Sequence, residues 1–236
     1  MPVYNGEAYV AESVRAVCEY LEGLGVPYEV VVVDDGSVDG TYERLLEAAR
    51  ANPKVKVVRY ERNRGKGYAL VTGYRRSSGD VVVFFDADLD VPAQQVGLLL
   101  RALRATGCDA AITSKWHPQS RVEATPLRRF LSRSYIALAR LLVGIRVSDA
   151  QTGAKAFRRE VLDDVVPSLV VKRYAFDTEL LTAVLARGYR VVEVPSLWTI
   201  KLTARFRLGE VLRMLLDLLG VAYRHRVKKQ YARPGR

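Results

Sequence analysis

Aspartate residues recur where buried, β-branched runs of this sequence end. Asp34 and Asp35 follow one such run, and Asp86 and Asp88 follow another as an Asp-x-Asp group. Two partly buried carboxylates without a partner are costly, and a hard divalent cation removes that cost. Mg²⁺ is typically held by one or two carboxylates together with phosphate oxygens of a substrate. The Asp-x-Asp group is therefore a candidate metal site, although alone it is equally typical of a solvated loop.

A basic, glycine-containing segment, Asn-Arg-Gly-Lys-Gly at 63–67, precedes a helical pattern. The free N–H groups at a helix N-terminus favour phosphate, and Arg64 and Lys66 add positive charge there. Such glycine segments also occur as plain turns. The segment is a candidate phosphate-binding loop whose significance depends on what lies near it.

The elements that position these residues alternate in type along the first half. Strand-like runs are indicated at 28–33, 55–60, 81–85 and 109–114, and helices at roughly 7–22, 38–51, 65–77 and 92–106. Continuous apolar runs suit parallel strands that are buried on both faces. Strand–helix alternation predicts an α/β fold with a mostly parallel, doubly wound sheet and helices on both faces. Ligands of such sheets bind at the carboxyl ends of the strands, where the acidic residues lie.

The second half is less regular. We expect a helix over 125–143, a basic glycine-containing segment through Arg159, a helix near 176–187, a strand near 190–194 and a last helix over 207–226. In that last helix, one face carries Leu208, Val211, Leu212, Leu215, Leu219 and Ala222. Basic residues surround it, namely Arg205, Arg207, Arg213, Arg224, Arg226, Lys228 and Lys229. This pattern suits either a core-packing helix or a helix that lies on an anionic membrane surface.

The chain has 236 residues with 49% hydrophobic and 27% charged content, which is typical of a globular protein able to bury a sizeable core. Cys18 and Cys108 are expected to be free, buried thiols, and His117 and His225 are too few for a zinc site. Residues 1–112 hold 13 Lys/Arg and 16 Asp/Glu, whereas residues 113–236 hold 24 and 10. The net charge of +11 thus comes from the second half, which favours an anionic partner of a kind that charge alone does not specify.

The chain begins without the strand that normally opens such a sheet, and we expect it to start in a loop and a helix. Either that strand was left out or, as we favour, the start codon has been assigned too far downstream. An apolar stretch of 18 residues is absent, as is a signal peptide. We therefore expect a cytoplasmic protein that is peripheral on the inner face of a membrane.

Four motifs occur in order: Pro2–Asn5, Val33–Ser37, the segment 63–67, and Phe85–Asp88. Jointly they make nearly the whole chain resemble family 2 glycosyltransferases of the GT-A fold. The resemblance implies a nucleotide-sugar donor that contacts Pro2, Tyr4, Asp34, Asp35, Arg64, Lys66 and Asp86. It also implies Mg²⁺ or Mn²⁺ held by Asp86 and Asp88 on the donor diphosphate.

Two further segments, Ser148–Phe157 and Arg173–Leu181, resemble those of dolichyl-phosphate glucose and mannose synthases, and more closely the β-glucosyltransferases. The resemblance implies a dolichyl or polyprenyl phosphate acceptor. Its phosphate would be held by Lys115, Arg128 and Ser132, with Arg129 and Arg133 as neighbours and with Asp149 and Gln151 in the acceptor loop. Ala154, Lys115 and Asp90 depart from residues common in the family, which leaves the lipid and the sugar open.

The implied reaction is an inverting transfer of glucose from UDP-glucose, or of mannose from GDP-mannose, with Asp88 and Asp177 as catalytic residues. Asp177 matches the general base of many inverting relatives. A lipid monophosphate has a second pKa of about 6 and is already anionic, so Asp177 is expected to orient groups instead. We divide the chain into a catalytic domain at 1–204, with a donor half at 1–112 and an acceptor half at 113–204, and a tail at 205–236 with possible membrane contact.

Other functions fit parts of the pattern. A non-lipid acceptor would keep the same donor site, and a nucleotidyltransferase shares paired metal carboxylates. A nucleic-acid-binding protein would suit the sequence pI of about 9.8, but the acidic strand ends would repel phosphate, and basic stripes interleaved with aromatic residues are missing. We therefore expect no nucleic-acid partner. A Rossmann dehydrogenase is disfavoured because no Gly-x-Gly-x-x-Gly follows a first strand.

Overall fold

The computed structural model describes residues 1–88, 90–120, 125–173, 175–197 and 208–232, without the side chains of Arg128, Leu208, Glu210 and Val211. The strands in these ranges are β1 (Pro2–Val3), β2 (Val30–Asp34), β3 (Val55–Arg59), β4 (Val81–Phe85), β5 (Ala110–Ser114), β6 (Ala154–Arg158) and β7 (Val191–Pro195). The helices are α1 (Val10–Gly23), α2 (Thr41–Ala51), α3 (Lys66–Arg76), α4 (Gln94–Thr106), α5 (Pro126–Val143), α6 (Arg159–Val165), α7 (Phe176–Ala186) and α8 (Leu208–Arg226). A short 3₁₀ turn, Val166–Ser168, follows α6.

The strands form two hydrogen-bonded sheets in the orders β1-β2-β3 and β4-β6-β5-β7. All pairs in the first sheet are parallel, and β5 pairs with β7 in parallel. The α/β class and the mostly parallel arrangement are therefore confirmed. β6 departs from it, because it runs antiparallel between β4 and β5.

We had expected only a basic glycine-containing segment where β6 lies, and no element had been predicted where α6 lies. The β6 sequence, Ala-Lys-Ala-Phe-Arg, has small residues and a lysine, so it lacks the continuous branched run that marks the other strands. All of its first four side chains are buried nevertheless, including Lys155.

Alternate residues of the strands face two separate cores, as the strand period of two requires. On one face, Phe84 and Phe157 pack with α5, α6, α7 and α8, their ring centroids 5.7 Å apart. On the other face, Phe85 and Ala111 pack with α1 and α4. Cys18 and Cys108 are buried free thiols, which confirms the prediction.

The expectation that the chain starts in a loop and a helix is wrong. Pro2 and Val3 pair with Val33 and Asp34 of β2, so a two-residue strand precedes the first loop. The ammonium group of Met1 donates to the carbonyl of Val31 at 2.8 Å. Burial lowers the pKa of this ammonium to about 5.

Helix α8 has two apolar faces where one had been expected. Leu218 and Val221 are fully buried in the core with α5 and α7. The opposite face exposes Leu212, Leu216, Leu219, Tyr223 and Val227, at intervals of three and four residues. The expected face falls between these two, with Leu212 and Leu219 outward and Leu215 and Ala222 half-buried. Within the described ranges, no helix is long and apolar enough to span a bilayer.

Candidate active site

A cavity of about 360 Å³ lies at the carboxyl ends of β1, β2 and β4. Six of the residues expected to bind the donor or metal line it, namely Pro2, Tyr4, Asp35, Lys66, Asp86 and Asp88. Local structure places these residues at the cavity. The chain leaves β1 at Tyr4, β2 at Asp35 and β4 at Asp86, and Lys66 begins α3. The common edge of the strands thus gathers residues that are up to 86 positions apart in sequence.

The glycine segment at 63–67 is ordered by Asp35. The Asp35 carboxylate accepts hydrogen bonds from the backbone N–H groups of Arg64 (2.7 Å) and Gly65 (2.9 Å), and from the Tyr60 hydroxyl (2.6 Å). Burial and this carboxylate together raise the pKa of Tyr60. Gly65 has a φ of 100°, a left-handed value that favours glycine, and a Cβ there would lie 2.5 Å from the carbonyl oxygen of Lys172.

Lys66, the first residue of α3, holds the carboxylate that begins the Asp-x-Asp group. Its Nζ lies 2.7 Å from both oxygens of Asp86 and 3.7 Å from Oδ2 of Asp177. Burial alone would lower the pKa of Lys66, but the attraction of Asp86 and Asp177 outweighs it and raises the pKa. Lys66 therefore remains a cation at the floor of the cavity.

Asp88 lies beside two other aspartates, Asp86 and Asp90, at the cavity. Burial raises its pKa, and the neighbouring charges of Asp86 and Asp90 raise it further. Among the described residues, no three His, Cys, Asp or Glu side chains form a metal-holding group on their own. The Asp86 and Asp88 carboxylates, crowded at an open cavity, fit a cation such as Mg²⁺ or Mn²⁺ whose remaining ligands are phosphate oxygens and water.

A buried ion pair lies behind the cavity. Lys155 on β6 donates to Oδ1 of Asp177, at the start of α7, over 2.9 Å, and both side chains are almost fully buried. Lys155 also donates to the carbonyl of Thr152. Burial would raise the pKa of Asp177, but Lys155 and Lys66 outweigh burial and lower it, while burial lowers the pKa of Lys155. Asp177 is thus a carboxylate held between two lysines.

The expected acceptor loop adjoins the same carboxylates. Lys115 pairs with Asp149 at 3.1 Å and donates to the carbonyl of Gln151 at 3.4 Å. The Gln151 amide contacts the Met214 sulfur of α8 at 3.0 Å. Gly153 ends this loop and accepts a hydrogen bond from the Asp86 N–H at 2.9 Å. The loop therefore connects α8 with the residue that begins the Asp-x-Asp group.

Residues 1–166, which contain every lining residue of the cavity except Arg173, match the family described as Glycosyl transferase family 2. The chain belongs to glycosyl transferase family 2. It is 28% identical over 233 residues to dolichyl-phosphate beta-glucosyltransferase ALG5C of Trichomonas vaginalis, covering 94% of this chain and 69% of that protein. It is 34% identical over 206 residues to dolichol-phosphate mannosyltransferase of Pyrococcus furiosus, covering 85% of this chain but only 56% of the relative.

The fold of this family 2 chain is also that of a solved structure. Glucosyl-3-phosphoglycerate synthase from Mycobacterium tuberculosis, in complex with UDP, matches it with a TM-score of 0.71 and 22% identity. The match covers 99% of this chain and 79% of the synthase. The expected GT-A fold is thereby confirmed.

Other expected site residues of the family 2 chain lie away from the cavity wall. Asp34 is fully buried, accepts the Ser37 N–H at 2.9 Å and pairs with Arg59 at 3.3 Å. Arg64 lies over the Tyr68 ring, 4.2 Å from its centroid. Ser132 is half-buried on α5. The Arg128 side chain lies outside the described part of the structure, as do Arg205 and Arg207.

Sequence reasoning missed several residues of this family 2 site. Tyr9, Asn63 and Arg173 also line the cavity, and Lys155 pairs with Asp177. Asn63 and Arg173 lay inside segments that had been singled out, but nothing in a single sequence shows which way a side chain points. Lys155 also lay inside a singled-out segment, Ser148–Phe157, but its alanine neighbours do not mark a buried strand.

Proposed function

We propose that this chain transfers a sugar from a nucleotide-sugar to a dolichyl or polyprenyl phosphate. The observation that carries the proposal is the cavity in which Asp86 and Asp88 lie beside Lys66 and the glycine segment. An anionic diphosphate needs positive charge around it, and this arrangement places the Lys66 ammonium beside two carboxylates that would hold a divalent cation. UDP-glucose is the favoured donor and GDP-mannose the second, since the relatives include both glucosyl and mannosyl transferases.

Asp86 and Asp88 would hold Mg²⁺ or Mn²⁺. When bound, such an ion neutralises the charge that grows on a leaving diphosphate. The synthase of the same fold has been solved with Mn²⁺ and UDP-glucose, which supports a divalent ion here. Lys66 contributes a second positive charge beside Asp86, at the start of α3.

The bond changes balance without a strong base. An oxygen of the acceptor phosphate forms a bond to the anomeric carbon, while the bond to the nucleoside diphosphate breaks and its electron pair stays on the leaving oxygen. The configuration at that carbon inverts. Asp177 is held between Lys155 and Lys66, so we assign it an orienting role: it fixes Lys66 against Asp86.

The acceptor phosphate is proposed to lie near Lys115, Arg128 and Ser132. Lys115 is nine-tenths buried and bonded to Asp149 and to the Gln151 carbonyl. Asp149 and Gln151 thereby fix the Lys115 ammonium near the loop that ends beside Asp86. We infer that these residues form the acceptor side of the site.

The exposed face of α8 is proposed to rest on the anionic inner surface of a membrane. It presents Leu212, Leu216, Leu219, Tyr223 and Val227 outward. Exposed basic residues accompany them, namely Arg213, Arg226, Lys228 and Lys229. On α5, Leu127 and Phe130 are also two-thirds exposed. Apolar rows with flanking cations are typical of interfacial helices.

Vesicle flotation tests this surface. Truncation before α8 is unsuitable because it would remove the buried Leu218, Val221 and Tyr231. The double substitution Leu216→Gln with Leu219→Gln leaves the core intact and should abolish flotation with anionic vesicles. Val38→Gln is the control: Val38 is also an exposed apolar residue but is distant from α8 in sequence, and its substitution should not affect flotation. Flotation that is unchanged by the double substitution would remove the membrane role.

A donor screen tests the reaction. UDP-glucose, GDP-mannose and UDP-N-acetylglucosamine are compared with Mg²⁺ or Mn²⁺ and a short polyprenyl phosphate, by release of nucleoside diphosphate. We expect release that needs both the metal and the lipid phosphate. Release of nucleoside diphosphate with 3-phosphoglycerate in place of the lipid would indicate a soluble acceptor, and release of pyrophosphate would indicate a nucleotidyltransferase. If none of the three donors gave any release, the proposal would be refuted.

A further inference from the structure

Glu179 lies two residues beyond Asp177 on α7 and points away from it, because two helical positions differ by about 200°. Its side chain is completely buried. A buried carboxylate is tolerated only when it is paired and hydrogen-bonded. Glu179 meets this condition with partners from two distant parts of the chain.

One oxygen of Glu179 binds the C-terminal part of the chain. Arg224 on α8 donates to Oε1 from Nη2 at 2.9 Å and from Nε at 3.2 Å. The hydroxyl of the fully buried Tyr231 donates to the same oxygen, and Arg224 Nε also donates to that hydroxyl at 2.9 Å. Burial raises the pKa of Tyr231, and the bond to Glu179 raises it further, so the phenol stays protonated.

The other oxygen of Glu179 binds the segment that leads into α7. Oε2 accepts the backbone N–H groups of Val170 at 2.9 Å and of Val171 at 2.7 Å. The next carbonyl along, that of Lys172, accepts the N–H groups of Gly67 at 2.9 Å and of Tyr68 at 3.3 Å, in the first turn of α3. One carboxylate therefore connects α8 with the first turn of the helix that begins at Lys66.

This segment also forms part of the donor cavity. Arg173 lines the cavity, and its Cγ would lie 2.8 Å from a Cβ at Gly65. The backbone of 170–173 thus contacts the glycine segment through both a hydrogen bond and close packing. A shift of 170–173 would move Arg173 and the first turn of α3 together.

We propose that Glu179, Arg224 and Tyr231 are positioning residues for the nucleotide donor. They fix the segment 170–173, which in turn sets Arg173 and the start of α3 against the donor diphosphate. The inference rests on the proposed function, because it presumes that the cavity binds a nucleoside diphosphate. It assigns to α8 a role in donor affinity that is separate from its exposed face.

Calorimetric titration of the full chain with UDP or GDP in the presence of Mn²⁺ tests this role. Tyr231→Phe removes one hydrogen bond and should raise the dissociation constant about three-fold, and Glu179→Gln, which mispairs several donors, about ten-fold. Tyr28→Phe is the matched control, because it also removes a hydrogen bond from a tyrosine hydroxyl to a glutamate, here to Glu22 at 2.8 Å, and it should leave the constant unchanged.

Hydrogen exchange separates positioning from general loss of stability. In Tyr231→Phe, the amides of Gly67 and Tyr68 should exchange faster while those of β2 keep their protection. If Glu179→Gln does not fold, Tyr231→Phe carries the test. Unchanged nucleotide affinity in the folded variants would overturn the positioning role alone, whereas failure of the unaltered chain to bind either nucleotide would overturn the proposed function itself.

Discussion

Residues 1–112 and the chain beyond them use charge differently. In residues 1–112, Asp86 and Asp88 face an open cavity, with Lys66 as the cation beside them. Beyond residue 112, charged groups are paired with each other inside the fold, as in Lys155–Asp177, Lys115–Asp149 and Arg224–Glu179. The large positive excess of the second half therefore lies mostly at its surface. Net charge along the sequence indicates a possible partner but does not locate the reacting groups.

The largest effect should come from an open carboxylate. Asp88→Asn removes charge from the proposed metal site, and we expect the turnover rate to fall by roughly 100-fold or more. Nucleoside diphosphate release measures it. Asp80→Asn, an exposed aspartate before the other end of β4, is the control and should leave the rate unchanged. Equal activity of the two variants would contradict the proposed metal site at Asp88.

The next effect concerns stability. Lys155→Met leaves the buried Asp177 without its nearest partner, and we expect a loss of about 3 kcal/mol in the free energy of unfolding. Denaturant titration measures this change. The comparison is Lys54→Met, which breaks a 2.7 Å pair with Glu22 at the protein surface and should cost far less, because water screens exposed pairs. A similar loss in both variants would show that burial does not distinguish these pairs.

Asp177→Asn should reduce turnover by about 10-fold, less than Asp88→Asn, because the proposed acceptor needs no strong base. The same release assay measures it, with thermal unfolding to confirm that the variant is folded. A folded Asp177→Asn variant as inactive as Asp88→Asn would contradict the orienting role and favour a general base.

The smallest effect depends on pH. Burial would raise the pKa of Glu29, but hydrogen bonds from Lys56 and Ser78 outweigh burial and lower the pKa to about 2. The ionised Glu29 therefore stabilises the fold fully above pH 4.5, the ordinary pKa of a glutamate. This stabilisation is lost as the pH falls toward 2. Glu29→Gln should cost about 1 kcal/mol at pH 7 and progressively less below pH 4.5 in denaturant titrations. If the difference in unfolding free energy between Glu29→Gln and the unaltered chain did not change with pH, the lowered pKa of Glu29 would be contradicted.

The sequence allowed residues 1–112 to be predicted more completely than the rest. Strands such as β2 and β4 are continuous branched runs that end in aspartates, so the edge of the sheet and its acidic residues could be placed directly. β6 could not, because Ala154, Lys155 and Ala156 give no strand signal and their pairing depends on strands far away in sequence. Asp34 shows the limit within a motif, since it is buried while Asp35 reaches the cavity.

Helix α8 shows a different limit. Its apolar residues cover so much of its circumference that periodicity did not separate the core face from the exposed one. Only the packing of Leu218 and Val221 against the core decides which face is turned outward. The roles of Glu179 and Arg224 were likewise hidden, because their pairing joins positions 45 residues apart.

The antiparallel strand β6 also fixes an order of assembly. The sheet β1-β2-β3 is complete once residue 59 has been synthesised. The second sheet cannot close until β6 is available, because β4 and β5 are each hydrogen-bonded to β6 and not to each other. The last strand of this sheet ends at Pro195. On the ribosome, the hydrogen-bonding edge of β4 must therefore wait for about 70 further residues, although Phe85 can already pack on α1 and α4. Unpaired strand edges of this kind favour aggregation while a chain is incomplete.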